Sequence, residues 1–370
     1  MDFGDGRVIS IETGKVARQA HGSIIARMGK TMLLATVVSN KDAREGVDFL
    51  PMSVDYQEKF ASVGRFPGGF LKREGRLSNY EILISRIVDR TLRPLFPSDY
   101  HSETQVMLTL ISSDENVIPD TLAVLAASAA MTLTDIPFDG PVSGVKVGRI
   151  DGEFVINPYR DEMERSDMEL VVAGTAKDVN MVEGEMNGLS EQEMVEAIKL
   201  AHEYIKKQCA AQLELCEMIG GRPEHREYNH ETNNEELMEK VIADNYQAIY
   251  DAAKVPTDKS QRSEAFANIL DEYLATFPED TEEETLGLVK KYFGKAKKKA
   301  IRDMVLETRN RLDGRALNEV RQIWSEVDFV PTAHGSSLFT RGETQSMTTV
   351  TLGSKLDEQM LDSPNLQGYN

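Results

Sequence analysis

Residues 20–37 read AHGSIIARMGKTMLLATV, and residues 333–350 read AHGSSLFTRGETQSMTTV. Aligned without a gap, eight of these 18 positions are identical: Ala20/Ala333, His21/His334, Gly22/Gly335, Ser23/Ser336, Gly29/Gly342, Thr31/Thr344, Thr36/Thr349 and Val37/Val350. An Asp-Gly-Arg precedes each stretch, at 5–7 and at 313–315. The same unit begins twice, 313 residues apart. Stacked repeats recur every 20–50 residues or so, and a period this long marks duplicated domains instead.

Outward from the first copy, residues 7–12 and 31–38 are β-rich runs that predict strands. Glu81 to Leu92 places Ile82, Leu83, Ile84, Ile87, Val88 and Leu92 on a broad helical face that ends before Pro94. Pro119 to Leu133 is an alanine-rich helix with small residues suited to close packing. Val142–Val147, Glu153–Ile156 and Met168–Val172 read as short strands, with Asp151-Gly152 as a hairpin turn. Ser190 and Glu193 form a capping box that opens a long helix, stopped by Gly220-Gly221-Arg222-Pro223.

Beyond this point strand signals vanish. Residues 224–304 are charged and helical in pattern, and Leu286, Val289, Phe293, Ala296, Ala300 and Met304 share one face of the last helix. Its acids Glu282–Glu284 and lysines Lys297–Lys299 suit the two ends of a helix dipole. The second copy then starts at about 305. The expected organisation is a first core at 1–141, its C-terminal subdomain at 142–221, an all-helical domain at 222–304 and an incomplete second core at 305–370.

Composition is that of a globular protein, 41% hydrophobic and 28% charged. The start lacks the pattern of a signal peptide, and a cytoplasmic location is expected, without membrane association. Cys209 and Cys216 stand seven apart in a helical pattern, too far to bridge, and read as two buried thiols. The net charge of −19 argues against a protein that coats nucleic acid over its whole surface, but leaves room for a local basic channel.

Two motifs fail. Gly29-Lys30-Thr31 resembles the tail of a phosphate-binding loop, but the required upstream glycine is Ile24 and the second copy has Glu343 in place of the lysine. His21 and His334 have no nucleophile or acid at readable spacing, and read as turn histidines that hold backbone rather than as catalytic bases. The segment 65–93 is different. It holds seven basic residues (Arg65, Lys72, Arg73, Arg76, Arg86, Arg90, Arg93) against three acidic ones, net +4 inside a chain of −19. Lys72, Arg73 and Arg76 lie beside Phe70 on a loop introduced by Pro67-Gly68-Gly69. Cations for phosphate beside an aromatic for stacking is the pattern of a single-stranded nucleic-acid site. The plainer reading is a solvated loop with salt bridges such as Asp89 to Arg93.

The strings Arg65-Phe-Pro-Gly-Gly-Phe-Leu-Lys-Arg-Glu-Gly-Arg76, Arg93-Pro-Leu-Phe-Pro97, Leu170-Val-Val-Ala-Gly-Thr175 and His334-Gly-Ser-Ser-Leu-Phe-Thr-Arg-Gly-Glu-Thr-Gln345, in this order, resemble the N-terminal portion of the polynucleotide phosphorylase family over essentially the whole chain. The resemblance implies an α+β fold: duplicated RNase PH-like cores separated by an all-helical domain, the second core truncated. It implies a phosphorolytic 3′-to-5′ exoribonuclease that acts on single-stranded RNA, releases nucleoside diphosphates and runs in reverse as untemplated tailing. It also implies a homotrimeric ring, KH and OB-fold domains beyond this chain, RNA-degradation partners, phosphate as co-substrate and Mg2+ or Mn2+.

In the family a Phe-Phe-Arg-Arg loop grips RNA at the pore. Here it reads Phe70-Leu71-Lys72-Arg73, with Arg76 kept. The family's catalytic serines and its Asp-x5-Asp-x-Lys set belong to the second core. The matching first-core positions are Ile118, Pro119 and Asp120, and Met163, Glu169 and Val171. The resemblance therefore implies a first core without catalytic or metal-binding residues, with the chemistry expected beyond residue 370. The rival expectation is a non-catalytic RNA-binding subunit of an exosome-like ring.

Overall fold

The structure, a computed structural model, describes the chain except residues 3–5, 45, 69–71, 229–232, 359, 366 and 370. It divides into two compact units, Met1–His230 with Glu358–Asn370, and Glu231–Asp357.

The first unit holds two sheets. Strands β1 (Ile9–Glu12), β2 (Gly22–Met28), β3 (Thr31–Ser39), β4 (Met52–Glu58) and β5 (Thr104–Ser112) form one, in the order β1-β2-β3-β5-β4. Its neighbours are antiparallel except the parallel pair β4–β5. Helices α1 (Asn79–Leu92) and α2 (Asp120–Thr132) follow. Strands β6 (Val142–Ile150), β7 (Glu153–Ile156), β8 (Met168–Thr175) and β9 (Val179–Met186) form the second, antiparallel sheet in the order β7-β6-β8-β9, with the short helix α3 (Arg160–Met163) between β7 and β8. The long helix α4 (Glu191–Met218) packs on β6 and β8.

Helix α2 touches β2, β3 and β5 of one sheet and β6 of the other, and every one of its residues is buried. That explains its alanines: a helix with sheets on two sides has no polar face and little room for long side chains. Helix α1 begins two residues before the sequence reading placed it, because Ser78 and Glu81 make a reciprocal capping box. The Ser190–Glu193 box opens α4 as expected. The Asp151-Gly152 hairpin turn has both residues at positive φ, as a two-residue turn between twisted strands requires. Cys209 and Cys216 are buried free thiols.

The second unit holds α5 (Glu235–Lys254), α6 (Lys259–Leu274) and α7 (Glu283–Thr308), around a core that includes Val241, Ile249, Phe266, Val289, Tyr292 and Phe293. It also holds the antiparallel sheet β10 (Ile323–Val327), β11 (Gly335–Arg341) and β12 (Thr344–Val350). A last hairpin, β13 (Met360–Asp362) and β14 (Gln367–Tyr369), belongs to the first unit.

The compact units divide after residues 230 and 357, whereas the sequence reading cuts at 221/222 and 304/305. The connector 222–228 belongs to the first unit through directed bonds. Arg222 donates to the Gly140 carbonyl at 2.8 Å, and the Tyr228 hydroxyl donates to Asp99 at 2.9 Å. Helical packing continues past 304, where Leu312 joins the helical core and Gly314 lies against Pro256. The lysines 297–299 also need correction. Helix α7 runs on to Thr308 and carries no base in its last turn, so the dipole does not account for them.

Candidate nucleic-acid interface

The seven cations of 65–93 separate by what they touch. Arg93 is bound on three sides, to Asp89 at 2.6 Å and to the Leu50 and Met52 carbonyls. Arg90 pairs with Glu183. The Arg65 guanidinium stands over the Phe60 ring at 5.6 Å and donates to the Ser363 carbonyl at 3.4 Å. These three brace the fold.

Lys72, Arg73 and Arg76 are exposed. Lys72 has φ of 51° and donates to the Gly68 carbonyl at 3.3 Å. Among the described residues, Arg73, Arg76 and Arg86 have no hydrogen-bond or ion-pair partner. Phe70 and Leu71 lie outside the described residues.

The nearby acids are already engaged. Glu74 holds Lys59 at 2.8 Å and accepts from the Phe60 amide, and the Lys59 bond holds its carboxyl below the usual range. Glu81 accepts from the Ser78 and Glu58 amides at 2.6 and 2.8 Å. Neither neutralises Lys72, Arg73 or Arg76, while the expected Asp89–Arg93 bridge is present. Beside the loop is a cavity of about 270 Å³ lined by Glu58, Glu74, Arg76 and Glu81 among others. Lys59 also lines it, paired with Glu74, and Lys72 and Arg73 lie exposed outside it.

The first-core positions of the family's chemistry are closed from within. Asp120 opens α2, where its Oδ1 accepts from the Thr121 amide at 2.6 Å and so occupies the positive end of the helix. Its Oδ2 lies 2.7 Å from Lys146 Nζ, both side chains being 6% exposed, and the same ammonium also meets Glu169 at 2.5 Å. Lys146 stands directly across the β6–β8 ladder from Val171. An ammonium thus enters from the neighbouring strand opposite the position where the family pattern would put its lysine. Burial lowers the pKa of this amine, but Asp120 and Glu169 outweigh it and the net shift is upward. The raised Lys146 pKa means that its ion pairing favours the folded core at neutral pH, and that this contribution is lost as pH rises through the raised pKa.

With both carboxylates committed to Lys146, the residues do not fit a divalent cation. No cluster of three His, Cys, Asp or Glu that could hold a metal occurs among the described residues. Sequence reading found Asp120 and Glu169 but missed Lys146. The available signal was a lone lysine in the apolar strand VSGVKVGRI. The two histidines are also spent on backbone: His21 Nδ1 accepts from the Ser39 amide at 3.1 Å, and His334 Nδ1 from the Leu352 amide at 2.9 Å.

The family described as 3′ exoribonuclease family, domain 1 matches residues 5–137 and again 319–368, in line with the duplication. Its domain 2 matches 140–204, and the family described as polyribonucleotide nucleotidyltransferase, RNA binding domain matches 236–316. A polyribonucleotide nucleotidyltransferase of Cytophaga hutchinsonii is 54% identical over 367 residues, 99% of this chain and 51% of the relative. The chain belongs to the polyribonucleotide nucleotidyltransferase family. A Bacteroides fragilis relative of the same description is 54% identical over 98% of this chain and 51% of its own length. The chain thus spans about half the length of the curated relatives it matches. A solved structure described as the Archaeoglobus fulgidus exosome with RNA bound to the active site aligns over 54% of this chain and 86% of its own, with a TM-score of 0.45 and 18% identity. No helix among the described residues is long and apolar enough to cross a membrane.

Proposed function

We propose that this chain is the RNA-guiding half of a phosphorolytic 3′-to-5′ exoribonuclease. The whole enzyme attacks the terminal phosphodiester of single-stranded RNA with phosphate, releases nucleoside diphosphates, and tails RNA in the reverse direction. It works in the cytoplasm as a homotrimeric ring, in company with other RNA-degrading proteins. Mg2+ or Mn2+ serves the reaction through ligands that are not in this chain. Lys72, Arg73 and Arg76 contact RNA phosphates, and Phe70 beside them offers a stacking surface.

The observation that carries this reading is the set of exposed cations at 72–76 whose neighbouring carboxylates are bound elsewhere. Loop cations with no carboxylate partner are open to contact a phosphate chain. Each phosphate contact to a single strand contributes about 0.7 to the slope of log K against log salt. The variant Lys72→Ala/Arg73→Ala/Arg76→Ala is expected to flatten that slope by roughly 2 in anisotropy titrations with labelled oligo(A). An unchanged slope would remove the loop from the RNA path.

The Asp120–Lys146–Glu169 triad supports a second expectation, that the 370-residue chain has no phosphorolytic activity by itself. Purified chain incubated with poly(A), phosphate and magnesium should release no ADP above a mock preparation. Turnover would mean that the first core is catalytic despite its closed site.

A further inference from the structure

A short 3-10 helix, Phe60–Val63, has one phenylalanine in it and another just past it, with opposite surroundings. Phe60 is buried, and the Arg65 guanidinium stands 5.6 Å over its ring. Phe66 is 88% exposed, more than any other Phe, Trp or Tyr among the described residues. One exposed apolar side chain is ordinary in a folded protein, so the exposure by itself decides nothing.

The backbone around Phe66 says more. Gly64, with φ of 69°, ends the 3-10 turn with its N–H on the Phe60 and Ala61 carbonyls, and the Arg65 amide donates to the Phe60 carbonyl at 3.0 Å. The Arg65 side chain is fixed in turn between the Phe60 ring and the Ser363 carbonyl. On the other side, Pro67 restricts the residue before it to extended conformations. Phe66 is thus projected outward from a held backbone, and little freedom remains to be lost when something flat settles on its ring. The loop cations are close. Lys72 Nζ bonds the Gly68 carbonyl, and Gly68 is two residues from Phe66, at most about 7 Å of chain.

We propose that the Phe66 ring stacks on a base of single-stranded RNA that runs along the loop at 72–76. A flat apolar ring beside exposed cations offers a single strand both contacts it uses, a π face for a base and positive charge for phosphate. Every base has a π face, so such a platform holds RNA without choosing its sequence. The bonds of Arg65 to the protein set the ring in place and leave phosphate to Lys72, Arg73 and Arg76. The inference rests on the RNA reading of that loop and adds to it a residue outside the Phe70–Arg76 string.

The test uses the 370-residue chain, labelled oligo(A) and a labelled strand of the same length without bases, titrated by anisotropy between roughly 50 and 200 mM salt. Phe66→Ala should weaken oligo(A) binding roughly 5- to 100-fold and leave the salt slope unchanged. Phe66→Leu, which keeps an apolar side chain without a π face, should lose a similar factor, and Phe66→Trp should retain affinity. The strand without bases should bind the unchanged chain and Phe66→Ala alike. Because the ring is exposed, the urea midpoint should not move in any of these variants. If the loop variant flattens the slope and Phe66→Ala leaves affinity unchanged, the Phe66 assignment is wrong and the loop reading stands. If Phe66→Ala weakens oligo(A) and the loop variant leaves the slope unchanged, the platform stands and the phosphate contacts fall. Equal weakening with the strand that lacks bases would overturn stacking. Unchanged affinity with an altered sedimentation coefficient would overturn it too, since the ring would then be covered by another copy of the chain. If the unchanged chain binds no oligo(A), the RNA reading and the platform fall together.

Discussion

The two copies of the Ala-His-Gly-Ser hairpin share their local geometry and differ in what covers them. In both, the strand pair runs in the same register, from Gly22↔Val37 to Met28↔Thr31 and from Gly335↔Val350 to Arg341↔Thr344. Both turn at a glycine with positive φ, 59° at Gly29 and 62° at Gly342. Both histidines accept from an amide 18 residues on, and both serines donate to a carbonyl just upstream, Val16 and Val330. Burial then separates them: Val37 is fully buried, whereas its counterpart Val350 is 48% exposed. Strand β3 has β5 at its side and α2 on its face, while β12 is exposed along its whole length. Turn residues and backbone bonds shape the hairpin; its burial comes from elements distant in sequence.

The sharpest way to break this comparison is at the paired glycines. A Cβ on Gly22 would lie 2.1 Å from the Ala130 carbonyl oxygen, in the buried end of α2, and 2.8 Å from Cγ2 of buried Thr134 just beyond it. A Cβ on Gly335 would meet only Val350 Cβ, at 3.8 Å. Gly22→Ala is therefore expected to destabilise the first unit by about 3 kcal/mol, at the upper end for an overpacked core. Gly335→Ala should change stability by no more than about 0.5 kcal/mol. Urea unfolding can resolve the two units. The chain's one tryptophan, Trp324, lies on β10 beside β11 and reports the second copy, while far-UV circular dichroism reports both units. Equal losses at the two glycines would show that coverage is not what distinguishes the copies.

The same division explains what could be read in advance. The duplication, the capped helices and the Asp151-Gly152 turn were legible because each depends on a few adjacent residues. The exposed loop cations were legible as a local charge excess. Which of them are free was not, because Arg90 is bound by Glu183, Arg65 reaches Ser363, and Glu74 turns to Lys59. The closed triad stayed hidden for the same reason. Asp120, Lys146 and Glu169 come from a helix and two strands, and only the β6–β8 register sets Lys146 across from Val171. The domain edges moved because hydrogen bonds of Arg222 and Tyr228, not composition, decide where the first unit ends.

The paired histidines give a smaller effect and sharpen the comparison, because coverage acts there through a single amide, buried at Ser39 and exposed at Leu352. Both rings are exposed, and each closes its hairpin with one hydrogen bond from a backbone amide, to Ser39 and to Leu352. Removal of the ring leaves the exposed Leu352 amide open to water, but leaves the amide of buried Ser39 as a stranded donor. His334→Ala is expected to cost about 1 kcal/mol, and His21→Ala about 2 kcal/mol, in the unit that holds each. Amide hydrogen exchange at Ser39 and Leu352 should speed up in the respective variants, which ties the loss to that bond. A much larger cost at His21 would mean that the covered copy depends on its histidine for more than the hairpin. No cost at either would mean that register and the glycine turn hold the hairpin without it. Comparable losses would show that the duplicated motif is a local device that works the same way under a packed helix and in the open.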